Sequence, residues 1–574
     1  MEFIQKKTAD KAVVPYLPKA ADEGISLMWD RFEGQLPECG FCESGLSCRD
    51  CLQGPCISHP FQESNKVGVC GKDKDILAVH SLLRMVVKGT FALLDQADDF
   101  AKGLGKAAPK DGAAAEAVAA DIKAIFGGDA DAVLKAFPQA LVESWAALGI
   151  KPEGVASDLV KAAQKLEGGI GDVEDNLLWA LKASLLGCMA QQLYGRLKKA
   201  VYGAAVPQTV EVNLGNIRMD VPNILLCGPI SPILKEKIAA RAAEKNIAVS
   251  GLCTDPLVGA HTFAPVTSYG SQEIPMMTGA IDLIVAADQS VNPSLAKIAK
   301  KYNVAAVSTE SIGRTRDLDA FADEIVKRAA HVYELREAIE RDVPNFRESA
   351  VIGYSPESID VKKIFGALKN GGIKGVALLG GSNNAKYTQD DQIVTMAKEL
   401  LAKDVLCISE GEASIVLAKH GLLNPKKEEK SCGKGVAELL SALGSGLPEV
   451  LDFGITGIAD FIAAASAAEE KPLSNYPIFA CFPEANRAMD VSKALGAVAF
   501  GVTSYLWPYI PVTGSVKTVK ALTDFCKEKV GGKCHVIVDK IDAKAKAWRI
   551  LRDLEGAGAQ VERKWQQAPG SNIK

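Results

Sequence analysis

NILLCG (223–228), IAVSGL (247–252), DLIVAA (282–287) and VAAVS (304–308) are four short apolar runs separated by stretches with helical spacing. A second series repeats the pattern: GVALLG (375–380), DVLCIS (404–409), IFACF (478–482), AVAFG (497–501) and HVIVD (535–539). Strands that are apolar at every position, rather than at alternate ones, are buried on both faces. With helices between them they predict parallel sheets covered on both sides. The two series therefore read as two doubly wound α/β domains, 207–361 and 362–574. RESAVIGYSPESIDV, ahead of Lys362, is read as the linker between them. Functional residues in such sheets lie just past strand C-termini.

Upstream, from Lys74 to about Val201, the pattern is helical. ILAVHSLLRMVV, AAAEAVAADIKAIF, ADAVLKAFPQALVESWAAL and NLLWALKASLLGCMAQQLYGRL place apolar residues three and four apart, with few β-branched runs. This gives an N-terminal helical domain over 1–206. Neither α/β unit carries a G-x-G-x-x-G or Walker loop. LLGGSNNAK, after the run at 375–380, lacks the spacing and reads as a strand-to-helix turn, so a nucleotide enzyme is not expected.

The helical domain also carries the chemistry. Six of the fourteen cysteines fall between Cys39 and Cys70, the tightest set being C-x₂-C-x₄-C-x₁₃-C at Cys48, Cys51, Cys56 and Cys70. Four thiolates at this spacing, with Gly and Pro between them, suit a cubane iron–sulfur cluster, in which each iron takes one sulfur and the backbone curls round a compact core. Structural zinc and a disulfide framework are the alternatives. Zinc sites more often pair two C-x₂-C knuckles. Disulfide frameworks belong to small secreted chains, whereas this one has 574 residues and opens MEFIQKKTADK, without a signal-peptide pattern.

Composition is ordinary, at 48% hydrophobic and 24% charged residues, and the net charge of −4 advertises no nucleic-acid partner. AVAFGV and ALVESWAALGI are too short to span a membrane. A cytoplasmic protein is expected, and the cysteine content suggests an anaerobic setting.

WDRFEGQLPECGFCESGLSCRDCLQGPC (29–56), KVGVCG (66–71), TGAIDLIVAADQSVNPSLA (278–296), GGSNNAKYTQDDQIVTMAKELL (380–401) and IPVTGS (510–515) resemble the anaerobic nickel–iron carbon monoxide dehydrogenases. The resemblance covers nearly the whole chain. It implies a homodimer whose subunits have a helical domain and two Rossmann-like domains. It also implies a [4Fe–4S] cluster on Cys48, Cys51, Cys56 and Cys70, and a second cluster bridging the dimer axis. Cys39 matches the family's first bridging cysteine, but Ser47 stands at its second position. Cys42 can supply the missing thiolate, so Cys39 and Cys42 of both subunits would hold a [4Fe–4S] or [2Fe–2S] cluster.

The family's nickel–iron–sulfur active site, on one histidine and five cysteines, is matched poorly. CGPISP (227–232) stands where the histidine is expected. Cys253 matches one cysteine; Ser290, Ser382, Glu412 and Thr456 stand at the others. Leu93, Gln96, Asp99 and Lys102 replace a histidine relay, and no lysine stands between Asn486 and Met489 for the family's catalytic one. Hydroxyls are poor ligands for soft metals, so neither nickel nor carbon monoxide oxidation is expected. Cys253 and Glu412 are left as remnants. Cys227, Cys407, Cys432 and Cys481 have no assigned role, and His261 is a loop histidine near Cys253 in sequence.

The expected function is that of a carbon monoxide dehydrogenase-like iron–sulfur oxidoreductase that keeps its electron-transfer clusters and exchanges electrons with a ferredoxin-like carrier. The alternatives are a non-catalytic electron-transfer or scaffold protein, and a reductase of a hydroxylamine-like substrate with a remodelled cluster near Cys253 and Glu412.

Overall fold

The computed structural model describes residues 6–60, 66–311, 317–336, 340–469, 472–537 and 542–566, with side chains to 555. Two long helices, α1 (Lys74–Gly103) and α2 (Val173–Tyr202), form the spine of the helical region. Each starts on an aspartate that accepts from the first free backbone N–H groups: Asp73 from Asp75 and Ile76, Asp172 from Asp175. The segment Lys74–Lys106 is apolar and long enough to cross a membrane, but most of its apolar window, 61%, is buried inside the protein.

The first sheet consists of β1 (Asn223–Cys227), β2 (Ala248–Leu252), β3 (Ala264–Pro265), β4 (Leu283–Ala286) and β5 (Ala305–Ser308). All are parallel, in the order β5-β4-β1-β2-β3. The second consists of β6 (Gly375–Leu379), β7 (Val405–Ser409), β8 (Val450–Asp452), β9 (Ile478–Phe482), β10 (Thr503–Leu506) and β11 (Cys534–Val536), again all parallel, in the order β8-β7-β6-β9-β10-β11. Both follow the doubly wound 3-2-1-4-5 winding, which reverses between the first and fourth strands and opens a crevice there. The molecule is thus a multidomain α/β protein. Every residue of β1, β6, β7 and β9 is buried, which is why these strands read as unbroken apolar runs.

Three sequence readings change. AVAFG (497–501) falls largely within helix α4 (Ala488–Ala499), and the strand is the following TSYL. A short apolar run does not distinguish strand from buried helix by itself. HVIVD begins in β11, while Val538 and Asp539 lie outside the described residues. The stretch read as a linker contains a strand, Glu348–Ile352, paired antiparallel with Gln208–Val212; Ala350 and Ile352 point into the core. Residues ahead of the cysteines also have a fixed place: Val13, Tyr16 and Trp29 share a core with Leu225 and Ile284 of the first sheet.

Helix α4 settles between α1 and α2 because small residues let it approach. A Cβ on Gly89 would lie 2.3 Å from the Ala488 carbonyl oxygen, and one on Gly187 would meet Ser492 Oγ at 3.0 Å. The Thr90 and Ser492 hydroxyls bond across the contact at 2.8 Å. This packing fixes the N-terminus of α4 at the second sheet's crevice.

Candidate functional site

The cysteine motif folds as a small clasp. Ser47–Cys48 pairs antiparallel with Cys56–Ile57, which sets Cys48 directly opposite Cys56. Gly54 in the turn lies where a Cβ would come within 3.3 Å of the Cys48 carbonyl oxygen, a tight contact that glycine avoids. Together with Cys51 and Cys70, the pair lines a cavity of about 110 Å³. Lys72 and Arg84 both reach Asp50, at 3.4 and 2.5 Å, beside Cys48. Among the described residues no three His, Cys, Asp or Glu side chains converge as a single metal ion requires. A cubane asks for something else, four sulfurs spread round a cavity. The four cysteines and the cavity they line fit that group.

Cys39 and Cys42 are exposed on a short helical turn, and the Ser47 hydroxyl lies 3.4 Å from Cys42 Sγ. Hydrogen bonds from Cys42, through its backbone N–H and then its thiol, draw the Cys39 thiol downward. Lower thiol pKa values favour the thiolate that metals bind.

The second site lies where loops past the strands of the two sheets meet. Cys253 follows β2 and Ser290 follows β4, both with left-handed backbone, at φ 54° and 63°. A non-glycine residue held there carries strain, and such residues gather at functional sites. Glu412 opens helix α3 (Gly411–Lys419), and Arg487 caps the start of α4. Asp490 holds that start by accepting from the backbone N–H groups of Asn486 and Arg487, each at 3.1 Å.

Arg487 reaches across the crevice. Its Nη1 donates to Ser290 Oγ at 2.8 Å, and its guanidinium lies 6.0 Å from the centre of the Tyr269 ring. The Tyr269 backbone N–H donates to Glu412 at 3.0 Å, and the Cys253 thiol lies close enough to feel that carboxylate. Burial pushes the Glu412 carboxyl up against the pull of Arg487. The same burial, with Glu412 beside it, pushes the Cys253 thiol well up and keeps it protonated. Gln272 steadies the far wall by donating to Cys253 Sγ at 3.2 Å and to the Ser290 carbonyl at 2.9 Å.

Cys253, Ser290 and Glu412 are therefore brought together round Arg487. Ser382 is fully buried one residue from Asn383, whose carbonyl accepts from Asn486. Thr456 is turned onto Asp460, at 2.6 Å. Cys227, Cys407 and Cys481 are buried within β1, β7 and β9 as small core side chains. Cys432 lies beside Glu449, and His261 pairs with Val258 in a two-residue ladder of its own. Gln96 bonds Gln289 at 3.3 Å; Asp99 is pushed up to about 6 by burial and by Asp95. Arg487, Tyr269, Gln272 and Asn292 went unread in the sequence. The one signal was an arginine just past a buried strand and before a helix, the position that feeds a doubly wound crevice.

The Prismane/CO dehydrogenase family profile matches residues 46–111 and 106–540. The chain belongs to this family. It is similar to carbon monoxide dehydrogenase 2 of Carboxydothermus hydrogenoformans, at 28% identity over 97% of this chain and 99% of the relative. It is likewise similar to the carbon monoxide dehydrogenase of Rhodospirillum rubrum, at 26% identity over 95% and 98%. Among solved structures, carbon monoxide dehydrogenase IV of C. hydrogenoformans superimposes with a TM-score of 0.90 at 28% identity, over 97% of this chain and 100% of that one. A nickel-free carbon monoxide dehydrogenase from Thermococcus sp. AM4 gives 0.88 at 28% identity, over 97% and 98%.

Proposed function

We propose that this chain is an iron–sulfur redox protein of the Prismane/CO dehydrogenase family that keeps the N-terminal electron relay and does not oxidise carbon monoxide. The observation that carries the reading is Arg487. The positions matching the family's cysteines supply one protonated thiol, a carboxylate and three hydroxyls, and a guanidinium stands among them bonded to Ser290. Guanidinium has no lone pair for a metal, and its fixed positive charge opposes cations in a poorly solvated space. These residues do not fit a nickel–iron–sulfur cluster. A remodelled iron centre for hydroxylamine-like substrates would have Cys253 and Glu412 as its main ligands, too few to hold it.

Cys48, Cys51, Cys56 and Cys70 would hold a [4Fe–4S] cluster, which supplies low-potential one-electron transfer. Lys72 and Arg84 would stand as positive charge beside it. The exposed Cys39–Cys42 pair suits a bridging role in a homodimer, where a two-fold axis brings two such pairs together. A ferredoxin-like carrier is the proposed exchange partner.

Metal analysis of anaerobically purified protein tests the reading. About six irons per chain are expected, four from the cubane and two from half of a shared four-iron cluster, with no nickel. Near-stoichiometric nickel together with viologen reduction under carbon monoxide would overturn it.

A further inference from the structure

We propose that the space round Arg487 binds a small planar oxyanion, of the carboxylate or nitrate type, on the free edge of that guanidinium. The proposal rests on the reading above, that no metal cluster fills the crevice. One corner of the guanidinium, Nη1, is spent on Ser290. Nε has no partner, and no carboxylate forms an ion pair with Arg487 among the described residues. Nε–H and one Nη2–H point the same way and form the side edge that receives a carboxylate through two parallel bonds. Asp490 and Glu412 lie near enough to hold Arg487 charged, but both carboxylates are engaged by backbone N–H groups and neither takes the free edge of the guanidinium, which an incoming anion can fill.

Two further donors are unspent. Asn292 has its amide oxygen fixed by the Tyr269 hydroxyl at 2.9 Å and its backbone N–H by Gln272 at 2.8 Å, yet its Nδ2 has no partner. The Ser382 hydroxyl, 0% exposed, has none either. Buried polar groups in folded proteins are nearly always satisfied, so orphans of one kind in one place point to an absent ligand. Arg487 Nε, Asn292 Nδ2 and the Ser382 hydroxyl can all donate, against one unpartnered acceptor, Asn486 Oδ1, and donors gathered beside a positive charge specify an anion. Glu412 does not fill the role, because it is turned onto the Tyr269 backbone N–H and forms no ion pair with the guanidinium. Tyr269, Ser290, Asn292 and Arg487 are half-buried, with Arg487 Nε and Asn292 Nδ2 covered just beneath that surface.

The test is calorimetric titration of the anaerobically purified full chain with formate and with nitrate, chloride serving as control, alongside thermal denaturation. Formate or nitrate should bind saturably and raise Tm where chloride does not. Arg487→Gln should weaken binding by about tenfold or more, and Asn292→Ala by a smaller factor. The visible iron–sulfur absorption of each variant reports whether it has folded, and Asn292→Ala keeps the test alive if Arg487→Gln does not. Absence of saturable binding by both anions, or binding undiminished in every folded variant, would overturn the proposal. The two readings fail separately: nickel in the protein sinks the proposed function, whereas about six irons per chain with no anion binding sinks only the oxyanion site.

Discussion

The pocket of Cys48, Cys51, Cys56 and Cys70 draws four soft sulfurs from one short stretch, held by a two-residue ladder and a tight turn through Gly54. The crevice between the sheets draws Cys253, Ser290, Ser382, Glu412 and Arg487 from separate loops and offers one sulfur among oxygens and a fixed cation. Both sit on well-packed scaffolds, so packing alone does not decide what a site can bind. Ligand softness and local charge do, and by those measures the two regions suit opposite guests, a metal–sulfide cluster and an anion.

Cys51→Ala should show the largest effect. About four irons per chain should be lost with the visible absorption, and the N-terminal region should melt early, because cluster binding energy is folding energy there. Iron retained at the wild-type level would remove the pocket from one side of the comparison.

Lys419→Met should come next. Lys419 is wholly buried and pairs with Asp10 and Asp390, each at 2.8 Å, joining the N-terminal segment to the second α/β unit behind the crevice. Removing it leaves the buried Asp10 without a cation and Asp390 with His420 alone, and should cost about 3–5 kcal/mol in denaturant unfolding. A loss below about 1 kcal/mol would mean that the crevice does not depend on this lock.

Cys39→Ala should remove about two irons per chain, or about one if the shared cluster has two irons, and should weaken the dimer in sedimentation. Unchanged iron and mass would mean that the exposed pair holds no cluster.

Glu484 gives a pH test of the crevice. It accepts from Gln392, Asn383 and Asn384, yet burial and the nearby Asp390 push its carboxyl up from 4.5 to about 8. The folded state therefore holds a proton that the unfolded state releases. That stability is complete below about pH 4.5 and is lost as the pH rises to about 8. Tm should fall across this window in the wild type and fall less in Glu484→Gln. Equal slopes would show that Glu484 is ionised throughout.

The smallest effect is expected for Cys253→Ala, which should leave the iron content unchanged and cost about 1 kcal/mol for one lost hydrogen bond. Iron lost here would give the crevice a metal centre and dissolve the contrast with the pocket.

Much of the fold was legible because buried parallel strands announce themselves as continuous apolar runs. AVAFG misled because α4 is buried on most sides and carries the same composition as a strand. Glu348–Ile352 looked like a linker because its burial alternates, as it does in an edge ladder. The cysteine pocket was legible because the four thiols that line it are close in sequence. The crevice was half legible: positions past strand ends pointed to Cys253, Ser290 and Glu412, but nothing local marks Arg487 as their neighbour.

By itself the sequence determined most of the strands and helices, the doubly wound class and the clustering of thiols near the N-terminus, since these depend on residue type at short range. Only the tertiary structure decided which side chains share the crevice. Gly89 and Gly187 let α4 sink between α1 and α2, and that approach carries Arg487 to Ser290, almost two hundred positions away in the chain. Contacts of that separation depend on how close two helices can come, a property of the packed whole rather than of any stretch of it.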